Sequence, residues 1–212
     1  MGVDLPAFLG VAVVVIVTPG PDTALTVRNA LVGGRRAGVL TVAGVVGGQM
    51  VWTLAAGAGI AAVLAASRPA FTALRYAGSA YLLYLGIQAL VAALRGDGEA
   101  PRTRPRRSQR LPAATALRQG LISNLANPKS AAFFTSLLPQ FVPAGRAAFP
   151  VLLALGLTYC SITLAWLSGY ALAVARFGAV LARPLVRRVI EAVTGVVLTA
   201  LGLRLATEQA RS

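Results

Sequence analysis

The chain has 212 residues, of which 57% are hydrophobic and 12% are charged, and its formal net charge is +14. So few charged residues exclude a water-soluble globular protein, which needs more polar surface, and a disordered chain, which would be charge-rich. The single cysteine, Cys160, and the lack of histidine exclude an internal disulfide, a Ser-His-Asp triad and the common zinc motifs. We therefore expect neither a metal nor a cofactor.

Long stretches with at most one charged residue divide the chain into predicted membrane spans. Each is close to or above the length of about 20 residues that a helix needs to cross a bilayer. None shows the apolar/polar alternation of a barrel strand. The six stretches are 5–21, 37–67, 76–94, 119–145, 147–175 and 189–203. The sequence therefore predicts an all-α membrane protein with six transmembrane helices.

The basic residues are distributed unevenly between the two sides of the predicted membrane. Fourteen lie in the connections after the first, third and fifth spans, and five lie on the opposite side. Cytoplasmic loops carry an excess of arginine and lysine, so both termini are predicted outside and the third connection in the cytoplasm. The same rule accounts for the positive net charge of the chain. We therefore expect the lipid bilayer, and not a nucleic acid, as its partner.

A polar connection rich in arginine and proline separates two halves of the chain. The predicted organisation is a first repeat at 1–94, a cytoplasmic linker at 95–111 and a second repeat at 112–212. Contact of the linker with anionic lipid headgroups is an alternative to a purely topological role. Because each half has three spans, the halves have opposite orientations, which is the arrangement of inverted-repeat transporters. The sequence does not determine the oligomeric state, and a homo-oligomer is one of the alternatives.

The first predicted span is interrupted by Pro19, Gly20 and Pro21. Each proline lacks a backbone N–H and disfavours helix in the residue before it, so a helix break is expected near the midplane of the membrane. After the break, Asp22 can open a half-helix that Gly33 would end.

The fourth predicted span is interrupted at the corresponding place. Asn127 is a favourable N-cap residue, and Pro128 then takes the first helical position, where proline is accepted. Asn124 and Lys129 flank this break. Paired interruptions in the two halves indicate a transporter binding site, because irregular backbone at membrane depth must face protein or a watery cavity.

Asp22 and Lys129 are the only charged residues expected near the midplane, since Glu191 lies about one turn into the sixth span. An unpaired charge there costs several kcal/mol. One interpretation is a purely structural ion pair between the two residues, or snorkelling towards the interface. The other is a site for a zwitterion, in which Asp22 faces the ammonium group, Lys129 faces the carboxylate and Asp22 also carries the coupling proton.

Other polar and small residues in the spans have a simpler explanation. The four polar side chains that could line a pathway more often bond between helices; they are Gln49, Asn124, Tyr159 and Ser161. Gly44 and Gly48 form a GxxxG pattern, which is typical of close helix packing.

At these motifs the chain resembles the LysE/RhtB family of bacterial amino-acid exporters. The residues that carry the resemblance are 18–22 (TPGPD), 34–38 (GRRAG), 78–86 (GSAYLLYLG), 120–129 (GLISNLANPK), 133–134 (FF) and 138–141 (LPQF). Their presence in this order on six spans makes the resemblance specific over nearly the whole chain.

The resemblance implies a bacterial inner-membrane protein that exports a small amino acid or derivative in exchange for protons. The candidate site residues are those at the two helix breaks: Pro19, Gly20, Pro21, Asp22, Asn124, Asn127, Pro128 and Lys129. Asp22 is the predicted proton carrier, because it is the only carboxylate expected deep in the membrane. One alternative is export of an ion or another solute. A second is an intramembrane enzyme that uses Lys129 with Ser123 or Ser130, and a third is a structural subunit of an assembly.

Overall fold

The computed structural model describes residues 3–66, 111–143 and 147–181, with single helical positions within 76–94 and 192–203. Throughout these described residues the chain is helical or forms short connections between helices, and no strand occurs. Most of the predicted third and sixth spans and of the linker lies outside the described residues. The two-repeat division and the six-span arrangement therefore stay predictions.

The first helix, α1, extends from Leu5 to Val17. The Asp4 carboxylate caps it by accepting a hydrogen bond from the Ala7 amide, 3.1 Å away. The helix ends directly before Thr18 and Pro19, as expected for a residue that precedes proline. The predicted interruption of the first span is therefore present.

The second helix, α2, extends from Pro21 to Ala66, with a kink at Gly34. Gly34 has φ +71° and ψ −170°, a conformation that a side chain would strongly disfavour. The half-helix after the first break thus ends one residue later than predicted. Gly33 instead packs closely, since a Cβ there would lie 3.0 Å from the Leu111 Cβ.

The fourth predicted span consists of several short helical segments. Helix α3 extends from Ala113 to Leu125 and therefore begins six residues before the predicted start, and α4 extends from Pro128 to Ala132. A π-helical turn at Phe133–Leu137 and a 3-10 turn at Leu138–Phe141 follow. The predicted interruption at Asn127 and Pro128 is present between α3 and α4.

The last described long helix, α5, extends from Ala148 to Leu181. Segments Pro21–Gly59 of α2 and Ala148–Val174 of α5 are long and apolar enough to cross a membrane. Their outward faces carry large apolar side chains, as a lipid-facing surface requires; among them are Leu31, Val51, Leu54, Leu157, Leu164 and Leu172.

Aromatic side chains from the π-helical turn form the centre of the core. The Phe133 ring stacks on Tyr159 with centroids 4.1 Å apart, and Phe134 meets the same tyrosine edge to face at 5.3 Å. Phe8 and Val15 of α1 belong to the same buried cluster. This cluster joins α1 and α5 to the segment that follows the second break.

Glycines let α2 and α3 approach closely. A Cβ on Gly44 would overlap the Leu117 carbonyl, and a Cβ on Gly120 would overlap the Thr41 carbonyl. A Cβ on Gly48 would lie 2.8 Å from Asn124. The GxxxG pattern of Gly44 and Gly48 therefore serves packing against α3, the same helix that carries Asn124 to the second break.

We expect Gly120→Ala to lower the melting temperature of detergent-purified protein by several degrees. The added methyl group would force two backbones apart, and such overpacking typically costs about 1–3 kcal/mol. Gly169→Ala is the matched control, because it lies on a helix with open space around the new methyl group. Equal melting temperatures for the two variants would show that close α2–α3 packing contributes nothing to stability.

Candidate binding site at the two helix breaks

The Asp22 carboxylate connects the two helix breaks. Its Oδ1 accepts a hydrogen bond from the Ser123 hydroxyl at 2.7 Å, and its Oδ2 accepts from the Asn124 and Asn127 amides at 2.8 and 2.9 Å. Only 8% of Asp22 is exposed. A buried carboxylate requires such donors, and here all three are neutral side chains from the second break.

Asn127 has two roles in this arrangement. Its Oδ1 accepts from the Lys129 backbone amide at 3.0 Å, which caps the start of α4. Its Nδ2 donates to Asp22. The N-cap that the sequence predicted for α4 is therefore oriented by the charge at the other break.

The Lys129 ammonium group has backbone partners. Its Nζ donates to the carbonyl oxygens of Val15 and Thr18, at 3.1 and 2.9 Å. These carbonyls lie at the C-terminal end of α1, where the helix dipole is negative. Lys129, at the start of α4, thus binds the residues that precede the first break, whereas Asp22 follows that break.

The two charges do not pair directly. Within the described residues, no hydrogen bond or ion pair joins Lys129 Nζ to the Asp22 carboxylate. Each group instead bonds to its own neutral partners. The interpretation of a direct structural ion pair is therefore wrong for this structure. Each charge is held separately, and either could take a charged partner.

The serine and lysine side chains do not form a catalytic dyad in this conformation. Ser123 donates to Asp22, and Ser130 accepts from the Asn124 amide at 3.0 Å. Within the described part of the chain, neither hydroxyl is a hydrogen-bond partner of Lys129 Nζ. The same ranges contain no group of three His, Cys, Asp or Glu side chains that could hold a metal ion.

The remaining predicted site residues shape the backbone at the breaks. Pro19 and Pro21 are exposed and flank Gly20, while Pro128 occupies the first position of α4. A Cβ on Gly20 would lie 3.2 Å from Lys129 Nζ. The structure therefore places Gly20, Asp22, Asn124, Asn127 and Lys129 at one site, and the prolines define its backbone.

The other predicted pathway residues behave differently from Asn124. Gln49 donates to Thr163 across the α2–α5 interface at 3.2 Å, and Tyr159 belongs to the aromatic core. The Ser161 hydroxyl bonds to the Leu157 carbonyl of its own helix and is exposed. In this structure Gln49 and Tyr159 therefore contribute to packing between helices, and Ser161 forms a hydrogen bond within its own helix.

A buried polar strip extends from Asp22 along the first part of α2. Thr26 and Asn29 lie one and two turns further on the same face and are 0% and 3% exposed. The Asn29 amide donates to the side chains of Gln119 on α3 and Thr41, both at 2.9 Å. The strip ends near the arginines at positions 28, 35 and 36.

Several residues of the site were not predicted from the sequence. Ser123 was considered only for an enzyme, and the Val15 and Thr18 carbonyls are main-chain groups that carry no side-chain signal. For Asn29 and Gln119, the signal was available: Asn29 lies seven residues after Asp22, and Gln119 lies four before Ser123, on matching helix faces.

The donors around Asp22 predict how two substitutions differ. Asp22→Asn keeps an oxygen for the amide donors and turns an NH2 group towards Ser123, whose hydroxyl can accept. Asp22→Leu leaves three donors without an acceptor, and each unsatisfied buried group costs about 1–3 kcal/mol. We expect Asp22→Asn to melt near the wild-type temperature in detergent and Asp22→Leu far below it. A wild-type melting temperature for Asp22→Leu would contradict this account.

Comparison with known proteins gives several similarities. The chain is 33% identical over 204 residues to an uncharacterized membrane protein of Vibrio cholerae, covering 96% of this chain and 97% of that protein. It is 33% identical over 165 residues to the leucine efflux protein of Klebsiella pneumoniae, covering 74% of this chain and 75% of that protein. No solved structure matches the chain.

A family model described as LysE type translocator matches residues 13–209. This range contains both helix breaks and the whole polar site around Asp22 and Lys129. The match confirms the resemblance that the motifs indicated, and the chain therefore belongs to the LysE type translocator family.

Proposed function

We propose that this protein is a secondary transporter that exports a small amino acid or derivative by proton antiport. The observation that carries the proposal is the site itself: a buried carboxylate and an ammonium group lie at two helix breaks, each held only by neutral groups. Membership of the translocator family and similarity to proteins named leucine efflux protein support it. Leucine is therefore the first substrate to test.

The proposed architecture is two inverted repeats of three spans in the bacterial inner membrane. Both termini lie outside, the linker 95–111 lies in the cytoplasm, and the breaks lie near the midplane. The excess of arginine in alternate connections supports this orientation. The buried polar strip of Thr26 and Asn29 then extends from Asp22 towards the arginine-rich cytoplasmic side, and solute would pass along it only in a conformation in which α2 and α3 separate.

Asp22 is the proposed proton carrier. In its ionised form it accepts from Ser123, Asn124 and Asn127. A protonated Asp22 must donate instead, and the Ser123 hydroxyl can reverse its direction to accept. The site thus accommodates both protonation states, with an uncharged aspartic acid during the return step.

The proposed exchange moves one net charge inwards when one proton enters and one zwitterion leaves. A membrane potential of about 100 mV then supplies about 2.3 kcal/mol, enough for a concentration ratio of roughly 50-fold before any pH gradient. A protonophore should therefore abolish export.

Transport in proteoliposomes tests this proposal. Vesicles loaded with labelled L-leucine should release it faster when the outer solution is acidified, and a protonophore should remove that acceleration. Asp22→Asn should remain folded and lose the proton-driven acceleration, whereas Lys129→Gln should weaken leucine binding. Accumulation of leucine driven by ATP in de-energised vesicles would contradict antiport. Wild-type export by the double variant, Asp22→Asn with Lys129→Gln, would contradict both assigned roles.

The orientation can be tested separately with single cysteines. Cys160 is buried and is first replaced in a Cys160→Ala background. A membrane-impermeant thiol reagent added to intact cells should label Ser212→Cys and leave Ser108→Cys unlabelled until the cells are opened. Labelling of Ser108→Cys in intact cells would place the linker outside and contradict the proposed topology.

A further inference from the structure

The Val15 carbonyl at the end of α1 lacks its usual helical donor for a reason that is visible in the sequence. In a continuous helix the Val15 carbonyl would accept from the N–H of residue 19, but residue 19 is a proline. The Thr18 N–H makes the ordinary helical bond to the Val14 carbonyl at 3.0 Å, and the Thr18 hydroxyl bonds to the same carbonyl at 2.6 Å, so neither group serves Val15. The Thr18 carbonyl lies just beyond the last residue of α1. The first break therefore exposes oxygen atoms that need a donor from elsewhere.

A primary ammonium group already occupies this place. Lys129 Nζ donates to the Val15 and Thr18 carbonyls at 3.1 and 2.9 Å. The C-terminal dipole of α1 adds a favourable negative potential for a cation. The surroundings thus bind an R–NH3+ group through directed N–H···O bonds, which a quaternary ammonium ion cannot make.

The space around the ammonium group is also specific. Gly20 faces it, and a Cβ there would lie 3.2 Å from Nζ and 3.5 Å from Cε of the lysine. Lys129 is only partly buried, and the neighbouring Pro19 and Pro21 are exposed. The site therefore lies at the edge of the packed core, beside exposed backbone of the first break.

We propose that the Val15 and Thr18 carbonyls are the ammonium subsite for the transported solute and that Lys129 fills it when no solute is bound. This inference rests on the proposed export function and names the group that the site recognises: a primary ammonium beside a carboxylate. The incoming ammonium replaces Nζ on the carbonyls, and the released lysine pairs with the incoming carboxylate. The ammonium contact is thus made by backbone carbonyls, and Asp22 remains with its own donors.

The exchange leaves no charge without a partner. One ammonium replaces another on the two carbonyls, and a zwitterion brings the carboxylate that the released lysine requires. A solute that has an amine but no carboxylate displaces Lys129 without giving it a new partner. A solute without N–H donors does not displace it at all.

The sole lysine of the chain makes displacement directly measurable. Wild-type protein labelled with 13C at the lysine ε-carbon gives one lysine resonance in detergent, that of Lys129. We expect n-propylammonium chloride to shift this resonance saturably, and tetramethylammonium chloride at the same ionic strength to leave it unchanged. No saturable shift with propylammonium, or equal shifts with both salts, would overturn the ammonium subsite.

A second measurement uses the cavity left by removing the lysine. In Lys129→Ala, propylammonium has the size of the missing side-chain end, so it should raise the melting temperature saturably. The rise should be smaller in Lys129→Met, whose side chain fills the same space, and absent with tetramethylammonium. Equal responses of the two variants would count against an ammonium site at the carbonyls.

The outcomes for the subsite and for the export function are distinguishable. Proton-driven leucine efflux by a protein whose Lys129 resonance ignores propylammonium would overturn the subsite and leave the exporter proposal standing. Saturable displacement of Lys129 by propylammonium, without transport of leucine or another amino acid, would support the subsite and overturn the proposed function.

Discussion

The site depends on one constraint: every polar group released by a proline at a helix break must find a partner in a chain with little polar surface. Each of the two breaks supplies hydrogen-bond partners for the polar groups of the other. The Val15 carbonyl, whose helical donor is missing because residue 19 is a proline, and the Thr18 carbonyl receive hydrogen bonds from Lys129 of the second break. The Asp22 carboxylate, which follows the first break, receives its hydrogen bonds from Ser123, Asn124 and Asn127 at the second. Neither break would be satisfied without the other.

Such mutual satisfaction requires a short distance between helices, which the glycines provide. Gly44 and Gly120 bring the backbones of α2 and α3 so close that neither residue has room for a methyl group. Gly48 leaves space for Asn124, which is completely buried. Small residues in the membrane spans thus act on the site indirectly, because they set the distance over which an asparagine side chain can reach Asp22.

The sequence predicted the breaks well because their cause is local. Proline lacks a donor wherever it stands, and Asn127 before Pro128 is a favourable helix start in any context. The kink at Gly34 was missed by one residue, since glycine permits a break without requiring one. The start of α3 at Ala113 was missed by six residues, because the predicted span begins after the charged Arg118, which the helix includes. The third and sixth spans and the linker stay predictions from charge and hydropathy.

The partners at the site could not be predicted in the same way. A direct Asp22–Lys129 pair was a natural hypothesis, because opposite charges attract and side chains are what a sequence displays. The actual acceptors of Lys129 are carbonyls, which every residue carries, so only the three-dimensional path of α1 selects Val15 and Thr18. Trp52 illustrates the same limit: its indole N–H points to the Asn124 carbonyl at 3.4 Å, another main-chain acceptor.

Asn124 links Asp22 to Ser130, the residue that follows Lys129. Its Nδ2 donates to both Asp22 and Ser130, while its Oδ1 is buried without a hydrogen-bond partner. An ionised Asp22 favours this orientation, because it needs donors. A protonated Asp22 offers a donor, so rotation of the amide by a half turn would satisfy Oδ1, with the Ser130 hydroxyl reversed to match. The same rotation would place the amide NH2 group where Oδ1 now has no partner, so this orientation has its own cost. Ser130 adjoins Lys129 in the first turn of α4. Under the proposed proton coupling, the hydrogen bonds carry a change at Asp22 as far as Asn124 and Ser130, and the charge of Asp22 acts on Lys129 across space, without a hydrogen bond between the two ions.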